Sequence, residues 1–136
     1  MRRMTDRSLD LEAALPGLLR AFYARVRADE QLGPLFNEAV GDWDEHFGRL
    51  GDFWSSVMLG SGRYKGNPVA VHLAHAARIT PAMFDRWLAL WAETSDELLP
   101  PPTARALKDK AYRIAESLQL AIRFPSPAQR AAMASD

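Results

Sequence analysis

The chain has no cysteine, which excludes disulfides, thiolate catalysis and cysteine-based zinc sites. Its formal net charge is zero, 17 Lys plus Arg against 17 Asp plus Glu, so it carries no electrostatic footprint for nucleic acid or an anionic membrane. No apolar run approaches the roughly 18 residues of a membrane span. The basic start "MRRM" is not followed by the apolar stretch of a signal peptide. From these absences we expect a cytoplasmic protein with no nucleic-acid and no membrane partner. There is also no Gly-rich phosphate loop, no His-Glu-x-x-His, no Gly-x-Ser-x-Gly and no pair of carboxylates in an apolar setting. Common hydrolase and nucleotide chemistries are therefore disfavoured.

What is present is aromatic, and its periodicity is helical. A chain of 136 residues is long enough for one domain with a real core. We expect that domain over 1–124, with a Pro-, Ser- and Ala-rich tail, 125–136, that frays. A first helix is expected from about Leu9 to Ala28, broken at Pro16, with Leu15, Leu18, Leu19, Phe22 and Val26 as its stripe and Tyr23 beside them. "EQLGPLFNEAVG" reads as a turn-rich corner that sends Leu35 and Phe36 inward. A second helix, about Asp42 to Leu59, carries Trp43, Phe47, Leu50, Trp54 and Val57. Gly48 and Gly51 inside it cost about 1 kcal/mol each relative to Ala, which suggests that something bulky passes close by, a packing partner serving as well as a ligand.

"GSGRYKGN" is a loop. Asn67 and Pro68 then give the cap and first turn of a short helix to about Ala77. Thr80 and Pro81 repeat that signature for a helix to about Leu99, lined by Phe84, Trp87, Leu88, Trp91 and Leu98. "PPP" at 100–102 stops it. A last helix, about Thr103 to Arg123, has Leu107, Ala111, Ile114, Leu118 and Ile122 as its stripe. We find no strand, so the fold class is all-α.

The chemistry left to such a chain lies in three histidines, His46, His72 and His75. His46 shares a helix face with Leu50, Phe53 and Val57, an imidazole above an apolar surface. In "PVAVHLAHAAR", His72 shares its face with Val69, Leu73 and Ala76. His75 is rotated by about 60° from it and lies nearer the helix end and Arg78. Either histidine can be read as a ligand or as an ordinary residue of an amphipathic helix. Apolar lining with a few polar tips and one imidazole is what a cleft around a flat cofactor needs. Tyr23 and Trp87 can equally be read as core residues.

"FYARVRADEQLGPLF", "WDEHFGRLGDFWSSVMLGSGRYKGNP", "HL" and "FDRWLALW" together resemble the truncated haemoglobins of group III, in the family's order and at close to its spacing. The resemblance runs from about Leu18 to Arg123. It implies a shortened globin fold, a two-over-two helical sandwich around haem b (iron protoporphyrin IX). It implies that His72 is the proximal iron ligand and that Tyr23, His46 and Trp87 form the distal pocket. Phe36 would wedge the haem at a corner, and Leu50, Phe53 and Trp54 would line the slot. Arg49, Tyr64, Lys65 and Arg78 would stand near the propionates, or be solvated surface. Two features depart from the family: a shorter loop before Trp43 and the additional His75.

The function so implied is tight binding of oxygen, nitric oxide and carbon monoxide at ferrous haem. Oxidation of nitric oxide or turnover of peroxide is compatible with such a site. It would need a separate electron donor or reductase, because the chain has no flavin or nicotinamide motif. The competing class is a cofactor-free helical module that docks a partner through its aromatics. A nucleic-acid-binding helical domain is opposed by the zero net charge.

Overall fold

The computed structural model describes residues 10–134. The basic start at 1–4, Leu9 and the last two residues lie outside them. Among the described residues there are seven α-helices and no strand: α1 (Leu11–Ala28), α2 (Gly33–Ala39), α3 (Trp43–Leu59), α4 (Pro68–Ala74), α5 (Pro81–Leu98), α6 (Pro101–Arg123) and α7 (Pro127–Ala134). No helix among them is long and apolar enough to cross a membrane.

The ends follow local chemistry. Asp10, Asp42, Asn67 and Thr80 each accept a backbone N–H from the first turn of α1, α3, α4 and α5. Pro68, Pro81 and Pro101 occupy first turns, where a missing N–H costs nothing. The 100–102 prolines thus end α5 and also begin α6. α3 stops at Gly60, whose φ of 69° is the left-handed cap that glycine adopts without strain.

Three expectations are corrected. Pro16 does not break α1: it is exposed, and Leu15, Leu18 and Leu19 around it are buried, so packing carries the helix past one lost hydrogen bond. Residues 33–39 of the turn-rich corner form a helix. Leu98 faces solvent instead of the core. Within the 125–136 tail, Pro127–Ala134 form α7, whose first turn Ser126 and Gln129 close with a reciprocal cap: the Ser126 N–H donates to Gln129 Oε1 at 2.7 Å and the Gln129 N–H to Ser126 Oγ at 3.2 Å.

Two helix pairs make the architecture. α1 packs on α3, α5 packs on α6, and α1 also crosses α5, joining the pairs. Phe22 and Val26 of α1, Trp54 of α3, Trp91 of α5 and Leu107 and Ala111 of α6 are all fully or nearly fully buried in one continuous apolar cluster. Burying each large side chain stabilises the fold by about 1.5–3 kcal/mol. The Trp91 indole N–H donates to the Leu107 carbonyl at 3.2 Å, fixing α5 against α6. α2 rests on α1, whereas α4 packs on α6 and α7. The arrangement is a two-over-two helical sandwich of the shortened globin type.

Candidate functional site

Tyr23 is the centre of an aromatic cluster contributed by three helices. Its ring lies 5.7 Å from Phe36 on α2, and 5.8 Å from Trp43, 6.0 Å from His46 and 6.3 Å from Phe47 on α3. The His46 ring is edge-on to both Tyr23 and Trp43, at 82° and 89°. Phe22 meets Tyr23, Trp87 and Trp91 edge-to-face, and Trp91 stacks between Trp54 and Trp87 at 4.5 and 5.7 Å. Such pairs add about 0.5–1.5 kcal/mol beyond burial, so the rings hold one another's orientation.

The polar tips in this cluster are perturbed by burial. The Tyr23 phenol is pushed up to about 12 by loss of water, with the nearby Trp87 indole N–H pulling weakly the other way. Tyr23 is thus a neutral hydroxyl donor at any physiological pH. His46, half-buried, is held below the usual imidazole range by desolvation and then by the Arg49 cation.

His72 stands apart, on α4. Its Nδ1 is 2.7 Å from the Pro68 carbonyl oxygen. A carbonyl can only accept, so Nδ1 carries the proton. Burial, and then the neighbouring His75, hold His72 below the usual imidazole range, although the Pro68 carbonyl opposes this. A neutral ring protonated at Nδ1 has a bare lone pair on Nε2, the form in which imidazole ligates a metal. His75 caps the end of α4 with its backbone N–H on the His72 and Leu73 carbonyls, and its side chain is half-buried.

The helices that carry His46 and His72 pack on different partners, α3 on α1 and α4 on α6 and α7. Between core and surface lie Phe36, Phe47, Leu50, Phe53, Val69 and Trp87, each packed on the core yet only partly covered. Phe53 connects Trp54, at 5.5 Å, to Tyr64 in the loop, at 5.2 Å. The expected lining residues other than His72 thus belong to one continuous apolar system.

The expected propionate partners are less uniform. Arg78 is already engaged by Glu38, and Arg49 by Glu45 at 3.3 Å within α3. Lys65 is exposed and Tyr64 half-buried. A shallow open concavity lies elsewhere, against α1 and α5, but its cations are paired, Arg86 with Asp29 at 2.6 Å and Arg25 with Glu93 at 3.5 Å. Gly48 and Gly51 are not crowded: a Cβ at either would meet nothing within 4 Å, so no protein group explains them.

Sequence patterns missed Trp43 as a neighbour of His46, although the two are three residues apart on one helix. They also missed the cations on the aromatic rims, Arg27 stacked 4.5 Å over Trp43 and Arg20 4.8 Å over Phe47, for which a linear sequence carries no signal.

A curated relative, the group 3 truncated hemoglobin ctb of Campylobacter jejuni, is 32% identical over 112 residues, which cover 79% of this chain and 87% of the relative. The chain belongs to the group III truncated haemoglobins. The crystal structure of group III truncated hemoglobin from Campylobacter jejuni has the same architecture, with a TM-score of 0.74 and 30% identity over 85% of this chain and 92% of that one. No family model matches the chain. As a truncated haemoglobin it is a globin, a family that implies a bound haem.

Proposed function

We propose that this truncated haemoglobin holds haem b between α3 and α4 with His72 as the proximal iron ligand, and that it binds oxygen, nitric oxide and carbon monoxide beneath Tyr23, His46 and Trp87. The observation that carries this reading is the hydrogen bond from His72 to Pro68, which leaves Nε2 unprotonated and fixes the ring about that direction. The residues present fit the group. A single imidazole cannot hold iron by itself, and among the described residues no three His, Asp or Glu side chains converge to do so. A macrocycle supplies the remaining donors. Phe36, Leu50, Phe53 and Trp87, packed but half-open, supply apolar walls of the kind that such a ring needs.

When bound, the haem would supply a ferrous iron able to take up a diatomic ligand, with His72 holding it. The chain's own part is orientation and polarity. Tyr23, un-ionised and buried, presents a hydroxyl, and Trp87 an indole N–H. Both would donate toward a partly anionic ligand held between them, and hydrogen bonds to a charged acceptor contribute about 1.5–3 kcal/mol each. Two such donors slow release by about two to four orders of magnitude. Carbon monoxide, with less charge separation, gains less. His46, edge-on to both Tyr23 and Trp43, would control access by swinging outward. Turnover of nitric oxide or peroxide requires a separate electron donor.

The test is an absorption spectrum of the purified, haem-reconstituted chain in ferric, ferrous and carbonyl forms. A strong Soret band that shifts with carbon monoxide is expected. A chain that stays colourless after reconstitution is instead a cofactor-free helical interaction module.

A further inference from the structure

Arg63 lies in the loop between α3 and α4, nine positions before His72, and joins three parts of the chain. Its Nη1 and Nη2 donate to the two Glu12 carboxylate oxygens at 3.0 and 2.7 Å, in the first turn of α1. Its Nε donates to Asp52 on α3 at 3.2 Å. Beneath this fork, fully buried Ser55 has its hydroxyl 2.9 Å from Glu12 Oε2 and 2.8 Å from Ser61 Oγ. The Arg63 N–H donates to Ser61 Oγ at 3.4 Å, and the next residue's N–H, that of Tyr64, to Ser56 Oγ at 2.9 Å. Glu12 is held below the usual carboxylate range, first by Arg63 and then by Ser55.

The network is more than an exposed ion pair needs to be. Isolated surface pairs contribute about 0–1 kcal/mol, and the Arg63 and Glu12 side chains are 49% and 42% exposed. What a bidentate, three-partner guanidinium adds is geometry. It fixes 61–64 against α3. From there the Tyr64 ring goes edge-on to Phe53, and its hydroxyl sits where a Cβ on Gly66 would stand, 2.5 Å away. The Asn67 cap and α4 follow at once. α4 is only seven residues long and takes its packing from α6 and α7. The Arg63 fork is thus a polar tie, on the N-terminal side of α4, between the helix carrying His72 and the half of the molecule carrying Tyr23 and His46; Arg78, paired with Glu38 on α2, is a second on its C-terminal side.

We propose that Arg63 is a positioning residue for the proximal histidine: by clamping the loop to Glu12 and Asp52 it sets the place and tilt of His72 relative to α3. The proposal rests on the haem reading above. It predicts that loss of the fork loosens the imidazole without unfolding the chain.

The experiment compares the wild-type chain with Arg63→Ala, Arg63→Lys and, as a control, Lys108→Ala, which removes a 2.8 Å pair with Asp96 between α5 and α6. Three quantities are read: the iron–histidine stretching band of the ferrous protein, the rate of haem loss to a scavenger globin, and amide exchange of the haem-free chain. For Arg63→Ala we expect a shifted, broadened band, about tenfold faster haem loss, and faster exchange confined to 61–75. Arg63→Lys, which keeps the charge and loses the fork, should lie between, and Lys108→Ala should match wild type. An Arg63→Ala protein with unchanged band and haem loss overturns the proposal. So does a change shared with Lys108→Ala or spread over the whole chain. A wild-type chain that takes up no haem overturns the haem reading itself, which keeps the two failures apart.

Discussion

His72 donates its Nδ1 proton to the Pro68 carbonyl, 2.7 Å away and one turn earlier in its own helix. The acceptor exists because Pro68 opens α4, where a carbonyl still has a lone pair to spare and the residue has no N–H to satisfy. One short helix thereby supplies both an imidazole with a bare Nε2 and the group that orients it.

Removal of that ring should be chemically reversible. In His72→Gly the histidine-ligated ferrous spectrum should be lost, and added imidazole should restore it by filling the gap. His75→Ala should keep the wild-type spectrum. If His75→Ala loses the histidine signature and His72→Gly keeps it, the proximal assignment moves to residue 75.

On the other face, Tyr23→Phe removes one hydroxyl and little else from a buried, ring-packed position. Oxygen should leave the ferrous protein about tenfold faster or more. Carbon monoxide release should change much less. Stopped-flow measurement of both rates checks this, and an unchanged oxygen rate removes Tyr23 from the pocket.

The contrast between those two residues shows what a sequence carries. The short helix that carries His72 was legible because a cap, a proline and an apolar face at helical spacing are all local, as the long helices were from the same signals; the ligand role of His72 came from the family resemblance. The family resemblance named Tyr23 and Trp87, but nothing local in either residue separates a pocket wall from core. Their place in the fold depends on contacts between helices, Tyr23 with Phe36 and His46 and Trp87 with Phe22. Arg63 was equally illegible, since Glu12 is 51 positions away and no periodicity links them. Pro16 misled because a local rule about proline was overridden by buried leucines on both sides.

Burial of Tyr23 also makes a claim about alkaline stability. Its phenol ionises near 10 in the unfolded chain and is pushed up to about 12 in the folded one. A group whose proton is held more tightly by the folded state stabilises it below the unfolded value and loses that contribution as pH rises through the folded one. Stability of the haem-free chain should therefore fall by about 2–3 kcal/mol between about pH 10 and about pH 12 on account of this residue. Urea unfolding across that window should show a visibly flatter dependence in Tyr23→Phe. Equal slopes would mean that the phenol is hydrated in solution.

Gly48 offers a test of an absence. It is exposed on α3, and a Cβ there would meet nothing within 4 Å. Gly48→Ala should then stabilise the haem-free chain by about 1 kcal/mol, the helix propensity difference. That is a rise of about 3–5 °C in Tm. A drop would indicate that something does occupy the space beside this turn of α3.

Ser95 supplies the last test, independent of any cofactor. It is fully buried in α5, and its hydroxyl has no hydrogen-bond partner among the described protein groups, whereas its neighbour Thr94 donates to the Leu90 carbonyl at 2.7 Å. A buried hydroxyl without a partner costs about 1–3 kcal/mol of lost hydration. Ser95→Ala removes that cost and gains helix propensity, against a small void left by one oxygen atom. The sum should be stabilising by about 1 kcal/mol, read as a higher midpoint in urea with an unchanged slope. A lower midpoint would show that the hydroxyl is satisfied after all, by a water held inside the core beside α5.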